Sequence, residues 1–527
     1  MSNNKKLSRE EVAKIEIGHT GIAGTRKFVV CAFFLGIIYF YPLLQIGYEF
    51  STKDIKSLAD IEMFSFFRRL SSVDTGNSLL AINRQLCSVI SQYEDAIEDE
   101  SLLRVMLLPP AQYLLLKVFN VGNEQVIIGK DGHLFFSSCF NYLANPGFMR
   151  REQLKKRTLT GVQPDPALAV IDFYRQLQER DIALVLVPTP VKPMIYPDKL
   201  GGRPEPLNNR SFAAFKSTVE RAGITVIDLT EPLYELRASG VDSFLKTDTH
   251  WTPEGMLLAA RKIADVVGRK NQPMETTRGK ISALGDVAGM LKLRNIHTFF
   301  QPETAEIRVV DTTPDRNAEV LLLGDSFCNI FSLEAMNWGA RAGLPENLAA
   351  ELGEKIDVIA RNDSASFATR QLLAQELGRG RDRLAGKRVV VWQFVIRELA
   401  DGDWRLIPME LRDTTGSNFL VVDEPSEITA TVLSASQVPR PFAAPYNDHV
   451  MALHLVDING GTDQALVYTV SMKDNRLTPA ARLRGGERIA IKVSPWNDHE
   501  ATYGSWSRSE INDDNLMLQE PLWGELQ

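Results

Sequence analysis

Residues 318–327 read AEVLLLGDSF, an apolar run that stops abruptly at Gly324-Asp325-Ser326. A strand buried on both faces shows this continuous pattern instead of alternation, because neither face meets water. Related runs recur at IALVLVPTP (182–190), ITVIDL (224–229), IDVIARND (356–363) and RVVVWQF (388–394). Helical spacing separates the first two from each other and from what precedes them, in ALAVIDFYRQLQERD (167–181) and RSFAAFKSTVERAG (210–223). Short apolar strands alternating with amphipathic helices predict an α/β fold, with a mostly parallel sheet flanked by helices. Such sheets bind ligands beyond the carboxyl ends of their strands. Here those ends are PTP, GDS, RND and WQF.

Outward from this core the character changes on both sides. EQVIIGKDGHLFF (124–136) predicts two short strands around a Lys130-Asp131-Gly132 turn. Beyond about residue 413, ITATVLSASQV, HVMALHLVDI, ALVYTVSM and ERIAIKVSPW are β-rich runs divided by turn residues, which predicts an all-β sandwich or barrel. Between 49 and 124 the spacing is helical, with a break expected at Pro109-Pro110.

Near the N-terminus, FVVCAFFLGIIYFYPLLQIGY (28–48) carries no charge and is preceded by Lys5, Lys6, Arg9, Lys14, Arg26 and Lys27. This is the length of a bilayer-spanning helix, and the basic flank keeps the N-terminus cytoplasmic. A cleavable signal peptide and a buried core helix are the alternatives, but the run is long and lacks an A-x-A exit. The expected organisation is therefore a cytoplasmic tail (1–27), a membrane anchor (28–48) and a helical membrane-proximal segment (49–124). A catalytic α/β domain (125–412) and a β-rich module (413–527), which could bind carbohydrate, follow across the membrane.

Net charge is −7 over 527 residues, so there is no basic footprint for nucleic acid. Cysteines stand at 31, 87, 139 and 328. With Cys31 in the anchor, at most one disulfide can form within the chain, and no CxxC or zinc-ligand spacing exists.

A strand-end serine is a nucleophile only where a base takes its proton and a third group orients that base. Of seven histidines, His19 precedes the anchor and His449, His454 and His499 fall in the β-rich module. His133, His250 and His297 remain. His250 stands out in KTDTHWTPEG (246–255), where Asp248 lies two residues before it and projects to the same face of an extended loop. Thr252 and Pro253 then read as the N-cap and first residue of a helix. Asp248 can orient His250, and His250 can face Ser326. The plainer readings are a structural Asp-x-His pair and a helix-capping Ser326. A metal site would need further ligands, and the sequence shows no clustered candidate. Cys328, in the first helical turn, reads as a small buried residue and not as a rival nucleophile.

GDSF after an apolar strand, preceded by TDTHWTPEG, GKDGHLFF and VPTPVKPMIYPDKL, resembles the alginate O-acetyltransferase family of the AlgX/AlgJ type over roughly residues 120–400. The resemblance implies an SGNH-hydrolase-like domain, with Ser326 as nucleophile, His250 as general base and Asp248 as its orienter. ARND at 360–363 resembles the SGNH block that carries an oxyanion-binding asparagine, which makes Asn362, with Arg361 beside it, a candidate for oxyanion or substrate binding; Arg361 and the missing glycine depart from that block. A backbone N–H of Ser326 or its neighbour is the other expected donor. Trp251 and Trp392 are candidates to wall the site, with core packing as the alternative. In the module, Tyr446, Trp496, Tyr503, Trp506 and Trp523 could stack on sugars or pack in the core.

The resemblance and the exported location imply O-acetylation of an exported or cell-envelope polysaccharide through an acetyl-serine, without a cofactor. A membrane-bound O-acyltransferase partner would deliver the acetyl group. An exported carbohydrate acetyl-esterase is the alternative, and a non-catalytic scaffold of a secretion complex is a third.

Overall fold

The computed structural model describes residues 24–52, isolated positions between 61 and 94, and 101–526 apart from 271, 294, 412–418, 440, 442–445, 505, 512, 514–515 and 517–518. The basic tail up to residue 23 and most of the expected membrane-proximal helical segment lie outside the described residues. Contacts divide the chain into two units, Met1–Leu108 and Pro109–Gln527.

The first unit contains one long helix, Gly24–Thr52, of 29 residues, or roughly 43 Å at 1.5 Å per residue. Its apolar side chains point outward, Phe28 and Phe33 among them. Its stretch Thr25–Ser51 is long and apolar enough to cross a membrane. A second apolar helix, Leu102–Leu114, carries Pro109 and Pro110 inside it, where a break was expected. Proline's own φ is helical, so the chain continues while the hydrogen-bond ladder is interrupted. A π-helical stretch, Leu115–Phe119, follows, and Asn120 ends it with a left-handed φ of 51°.

The second unit opens on an antiparallel hairpin, β1 (Val126–Ile128) and β2 (Leu134–Phe136), around the expected turn. Next comes the helix Pro166–Gln178, capped by Asp165, whose carboxylate accepts the N–H groups of Ala167 and Leu168. It leads into β3 (Ala183–Thr189), and the helix Phe212–Arg221 leads into β4 (Thr225–Val226). A two-stranded arm, β5 (Thr276–Ala283) and β6 (Glu303–Val310), then interrupts the α/β alternation. β7 (Val320–Gly324), β8 (Asp357–Ala360) and β9 (Val389–Val395) complete the sheet. The order is β4-β3-β9-β7-β8 and every pairing is parallel. β7 and β9 are buried along their whole length, which is why they read as unbroken apolar runs. The last strand of the domain, β9, is inserted between β3 and β7, and this order decides what stands beside the GDS end.

The C-terminal module is a closed barrel. β10 (Ser426–Ala435), β11 (His449–Val456), β12 (Ala465–Lys473), β14 (Arg488–Pro495) and β16 (Pro521–Leu526) pair in a ring, since β12 bonds both β11 and β16. β13 (Arg476–Leu477) extends β12 and β15 (Ser507–Ser509) extends β11. Ile428, Val432, Leu453, Val467 and Ile491 are among the residues that form its core. Closure leaves the five ring strands no open edge, which an isolated sheet of this size would expose.

Candidate active site

β7 ends at Gly324, where an added Cβ would stand 2.1 Å from Cys328 Sγ. The chain can therefore turn tightly into the short helix Ser326–Asn329 only without a side chain. Asp325, not Ser326, caps that helix: its Oδ1 accepts the Phe327 N–H at 2.9 Å. Its Oδ2 accepts the Val395 N–H of β9 at 2.6 Å. Gln393, also on β9, accepts the Asp325 N–H at 3.0 Å and the Cys328 thiol at 3.1 Å, and donates to Thr189 Oγ1 of β3 at 2.9 Å. Three strand ends are thus laced together under the serine, and Ser326 Oγ is left out of the cap. Burial, reinforced by the Asp325 charge, pushes the Cys328 thiol well above its ordinary range, which leaves it a packed, inert neighbour.

The second half of the site is the loop Lys246–His250, which ends at the helix Pro253–Val267. Thr252 caps that helix by accepting the Gly255 N–H at 3.1 Å. Asp248 Oδ1 accepts both the His250 N–H at 3.0 Å and the Nδ1–H at 2.7 Å. A carboxylate only accepts, so Nδ1 carries the proton and Nε2 is a free acceptor. Nε2 lies 2.9 Å from Ser326 Oγ, across 76 residues of sequence. Ser326, His250 and Asp248 are 4%, 1% and 2% exposed, so this chain of hydrogen bonds is shielded from water. Burial works against charge on both His250 and Asp248. The hydrogen bond and attraction between them outweigh it, so His250 is raised and Asp248 is held well below the usual carboxylate range.

Several groups absent from the sequence reading hold this loop. Asp248 Oδ2 accepts from Trp338 Nε1 at 2.9 Å and from the Asp286 N–H at 3.1 Å. Glu303, at the base of β6, accepts the Lys246 N–H (2.6 Å), the Thr247 N–H (2.7 Å) and the Thr247 hydroxyl (2.6 Å). Asp286 follows β5 and accepts the Thr249 N–H and hydroxyl, both at 2.8 Å, while its Oδ2 stands 4.0 Å from His250 Nδ1. Burial and the Asp248 charge push Asp286 up. The β5–β6 arm thus delivers two carboxylates to the loop.

Asp286 also supplies the third donor that was not visible in sequence, since Asp248, His250 and Asp286 bring donor atoms within 4.8 Å of one another. Nδ1 is committed to Asp248, and both carboxylates accept from protein donors. The group is therefore a satisfied hydrogen-bond network, not an open ligand set.

The remaining candidates divide. Asn362 lines a cavity of about 290 Å³ together with Asp248, His250 and Asp286. Its Oδ1 accepts from Asn329 Nδ2 at 2.7 Å, and its own amide N–H groups have no protein acceptor among the described residues. The Phe327 N–H is spent on Asp325 and so is no oxyanion donor. Arg361 is engaged elsewhere, with Asp363 at 2.9 Å and Glu510 of the barrel module at 3.6 Å. Trp251 and Trp392 are fully buried and do not wall the cavity. Trp251 packs edge-on against Phe327 and donates to its carbonyl at 3.1 Å; Trp392 packs on Phe173, Phe394 and Trp404. Of the module's aromatic residues, Tyr446 and Trp506 line the cavity. Trp496 and Trp523 are buried, with Tyr503 stacked on Trp523 at 4.1 Å.

A parallel α/β sheet with a serine–histidine–aspartate hydrogen-bond chain at its carboxyl end is the architecture of an SGNH-hydrolase-like domain. Residues 126–396, just over half of the chain, match the family described as ALGX, SGNH hydrolase-like domain, acetyltransferase AlgX, and the chain belongs to that family. Among its relatives, the probable alginate O-acetylase AlgJ of Pseudomonas syringae pv. tomato is 30% identical over 210 residues, which is 38% of this chain and 49% of the relative. That of Pseudomonas putida is 28% identical over 232 residues, 40% and 57% of the two chains. The chain thus spans about half the length of the curated relatives it matches. The solved O-acetyltransferase domain of Pseudomonas putida AlgJ is 24% identical, covers 52% of this chain and 92% of its own, and has a TM-score of 0.40. Pseudomonas aeruginosa AlgX is 15% identical, with coverage of 70% and 90% and a TM-score of 0.39.

Proposed function

We propose that this chain is a membrane-tethered O-acetyltransferase that acetylates hydroxyl groups of a polysaccharide on the exported side. The observation that carries the reading is His250, which bridges Asp248 and Ser326 within a domain of the AlgX acetyltransferase family. In the first half-reaction Ser326 Oγ attacks the acetyl carbonyl while Nε2 takes its proton. The tetrahedral adduct then expels the donor's leaving group, which takes that proton from His250. In the second half-reaction a sugar hydroxyl gives its proton to Nε2, attacks the acetyl-serine carbonyl and displaces Oγ, which is reprotonated. Asp248 stays ionised and stabilises the imidazolium in both. The developing oxyanion would meet the Ser326 N–H and the Asn362 amide.

The relatives are named alginate O-acetylases, which supports a polysaccharide as acceptor. The donor would be an acetyl ester or thioester presented by a membrane-bound O-acyltransferase. On this reading residues 28–48 are the anchor, 125–412 carry the chemistry and 413–527 form one side of the acceptor cavity through Tyr446 and Trp506. A single crossing fits the second apolar helix as well: Arg104 and Lys117 leave twelve uncharged residues between them, about 18 Å against a hydrocarbon core of about 30 Å.

The test is turnover of a chromogenic acetyl ester by the full-length chain in detergent, with and without oligosaccharide acceptors. Ser326→Ala is expected to lose activity by roughly 10³-fold or more, and wild type to yield acetylated oligosaccharide by mass spectrometry. Undiminished turnover in Ser326→Ala refutes the serine mechanism. Acetate as the sole product makes the chain an esterase.

A further inference from the structure

Lys192 is the first residue of the short helix Lys192–Ile195 that follows β3. Its side chain is buried, 2% exposed, and no carboxylate among the described residues pairs with it. Nζ instead donates to three backbone carbonyls: Leu134 at 2.6 Å, Lys246 at 2.6 Å and Asp248 at 3.1 Å. An ammonium taken out of water needs all three donors matched, and here two of the three acceptors belong to the loop that carries the proposed base. The same loop gives its Lys246 and Thr247 N–H groups to Glu303. A cation therefore gathers the carbonyls of the segment and a carboxylate gathers its N–H groups. Leu134 joins the clamp twice, since its N–H also donates to the Lys246 carbonyl at 2.8 Å. The result ties β2, the end of β3 and the Asp248 backbone into one knot.

We propose that Lys192 is a positioning residue for the acyl-transfer reaction: it fixes the backbone from which Asp248 orients His250 toward Ser326. This rests on the reading of those three residues as catalytic. Lys192 touches no reacting atom. Its effect is on the near-attack geometry, where a displacement of about 1 Å costs on the order of 10²-fold in rate.

Burial lowers Lys192 to about 8, partly opposed by the charges of Glu303, Asp248 and Asp286. Cys139 and His133 also face it. Burial raises the Cys139 thiol and, with the Lys192 charge, lowers His133 to about 3, so both stay neutral through mildly alkaline pH. Asp248, held well below the usual carboxylate range, stays ionised there, and Asp286, pushed up to about 7, is ionised above that. As pH rises through about 8, Lys192 loses its proton, which removes one of its three donors.

The experiment is the rate at which Ser326 is sulfonylated by phenylmethylsulfonyl fluoride, followed by intact mass on the full-length chain. Steady-state kcat and KM with a chromogenic ester and a thermal melt accompany it. Wild type should lose sulfonylation rate as pH rises through about 8. Lys192→Met should react roughly 10- to 100-fold more slowly, with kcat carrying the loss and KM changed by about twofold or less. Lys192→Gln, which keeps an amide donor, should fall between them and lack the alkaline limb. If Lys192→Met does not fold, Lys192→Gln and the wild-type profile decide the question. A folded variant with wild-type sulfonylation, or a wild-type rate flat far above that pH, overturns the proposal alone. Ser326→Ala is the control for labelling: if wild type is no more labelled than this variant, the serine reading falls, and the role of Lys192 with it.

Discussion

Replacing Asp286 by asparagine removes a charge beside the proposed base while keeping its shape. The new amide would retain the oxygen that accepts the Thr249 and Val287 N–H groups, at 2.8 and 2.7 Å in the native chain, and the Thr249 hydroxyl can turn from donor to acceptor. The perturbation is therefore electrostatic. Asp286 Oδ2 lies 4.0 Å from His250 Nδ1, and a full charge at that distance is worth roughly 4 kcal/mol at an effective dielectric of 20, or about three pK units. The whole of it is not in play. Burial and the charge of Asp248 push Asp286 up, so it carries only part of its charge where His250 titrates, and a shift of about one unit is expected. The sign follows from His250 itself, which must be neutral to act as base and is raised above its ordinary 6.5. Wild-type kcat/KM should thus rise with pH through a limb that lies above 6.5. In Asp286→Asn that limb should move down by about one unit, with the maximal rate, reached before the alkaline fall that Lys192 sets at about 8, nearly kept. The assay is kcat/KM for a chromogenic acetyl ester across the pH range, which reports the free enzyme's essential base. A limb that stays in place or moves upward refutes the claim that the Asp286 charge is felt at the imidazole.

Two further changes probe the framework. In Gly285→Ala the new Cβ would stand 2.4 Å from the Thr247 carbonyl and the Asp248 nitrogen; the loop must shift, costing about 1–3 kcal/mol in a thermal or denaturant melt and roughly 10²-fold in kcat. Wild-type kcat in this variant would show that loop placement is not critical. Cys328→Ala should keep activity within about twofold while losing about 1 kcal/mol of stability, and N-ethylmaleimide should leave the native wild-type enzyme active. Inactivation by the reagent that Cys328→Ala prevents would contradict an inert thiol.

The parts of this site that were legible in sequence are those whose geometry is local. A strand buried on both faces must be apolar throughout, so β7 and β9 announced themselves, and a two-residue Asp-x-His spacing forces both side chains to one face of an extended loop. Ser326 and Asp325 are adjacent and both suited to capping, so only the backbone could show that Asp325 takes the cap. Trp392 was ambiguous for the reason its neighbours were readable: where both faces of a strand are buried, an aromatic residue carries no mark of which face it occupies. Asp286, Glu303, Trp338 and Lys192 reach the Asp248 loop across 38, 56, 90 and 56 residues. None lies in a periodic pattern, since each sits in an inserted arm, a connecting loop or at a strand end. Strand order is equally silent in sequence, yet it has the largest consequence here. Because β9 enters between β3 and β7, Gln393 and the Val395 N–H meet Asp325. The capping carboxylate is held from a second strand, and the serine hydroxyl next to it is left with no structural task except to face His250.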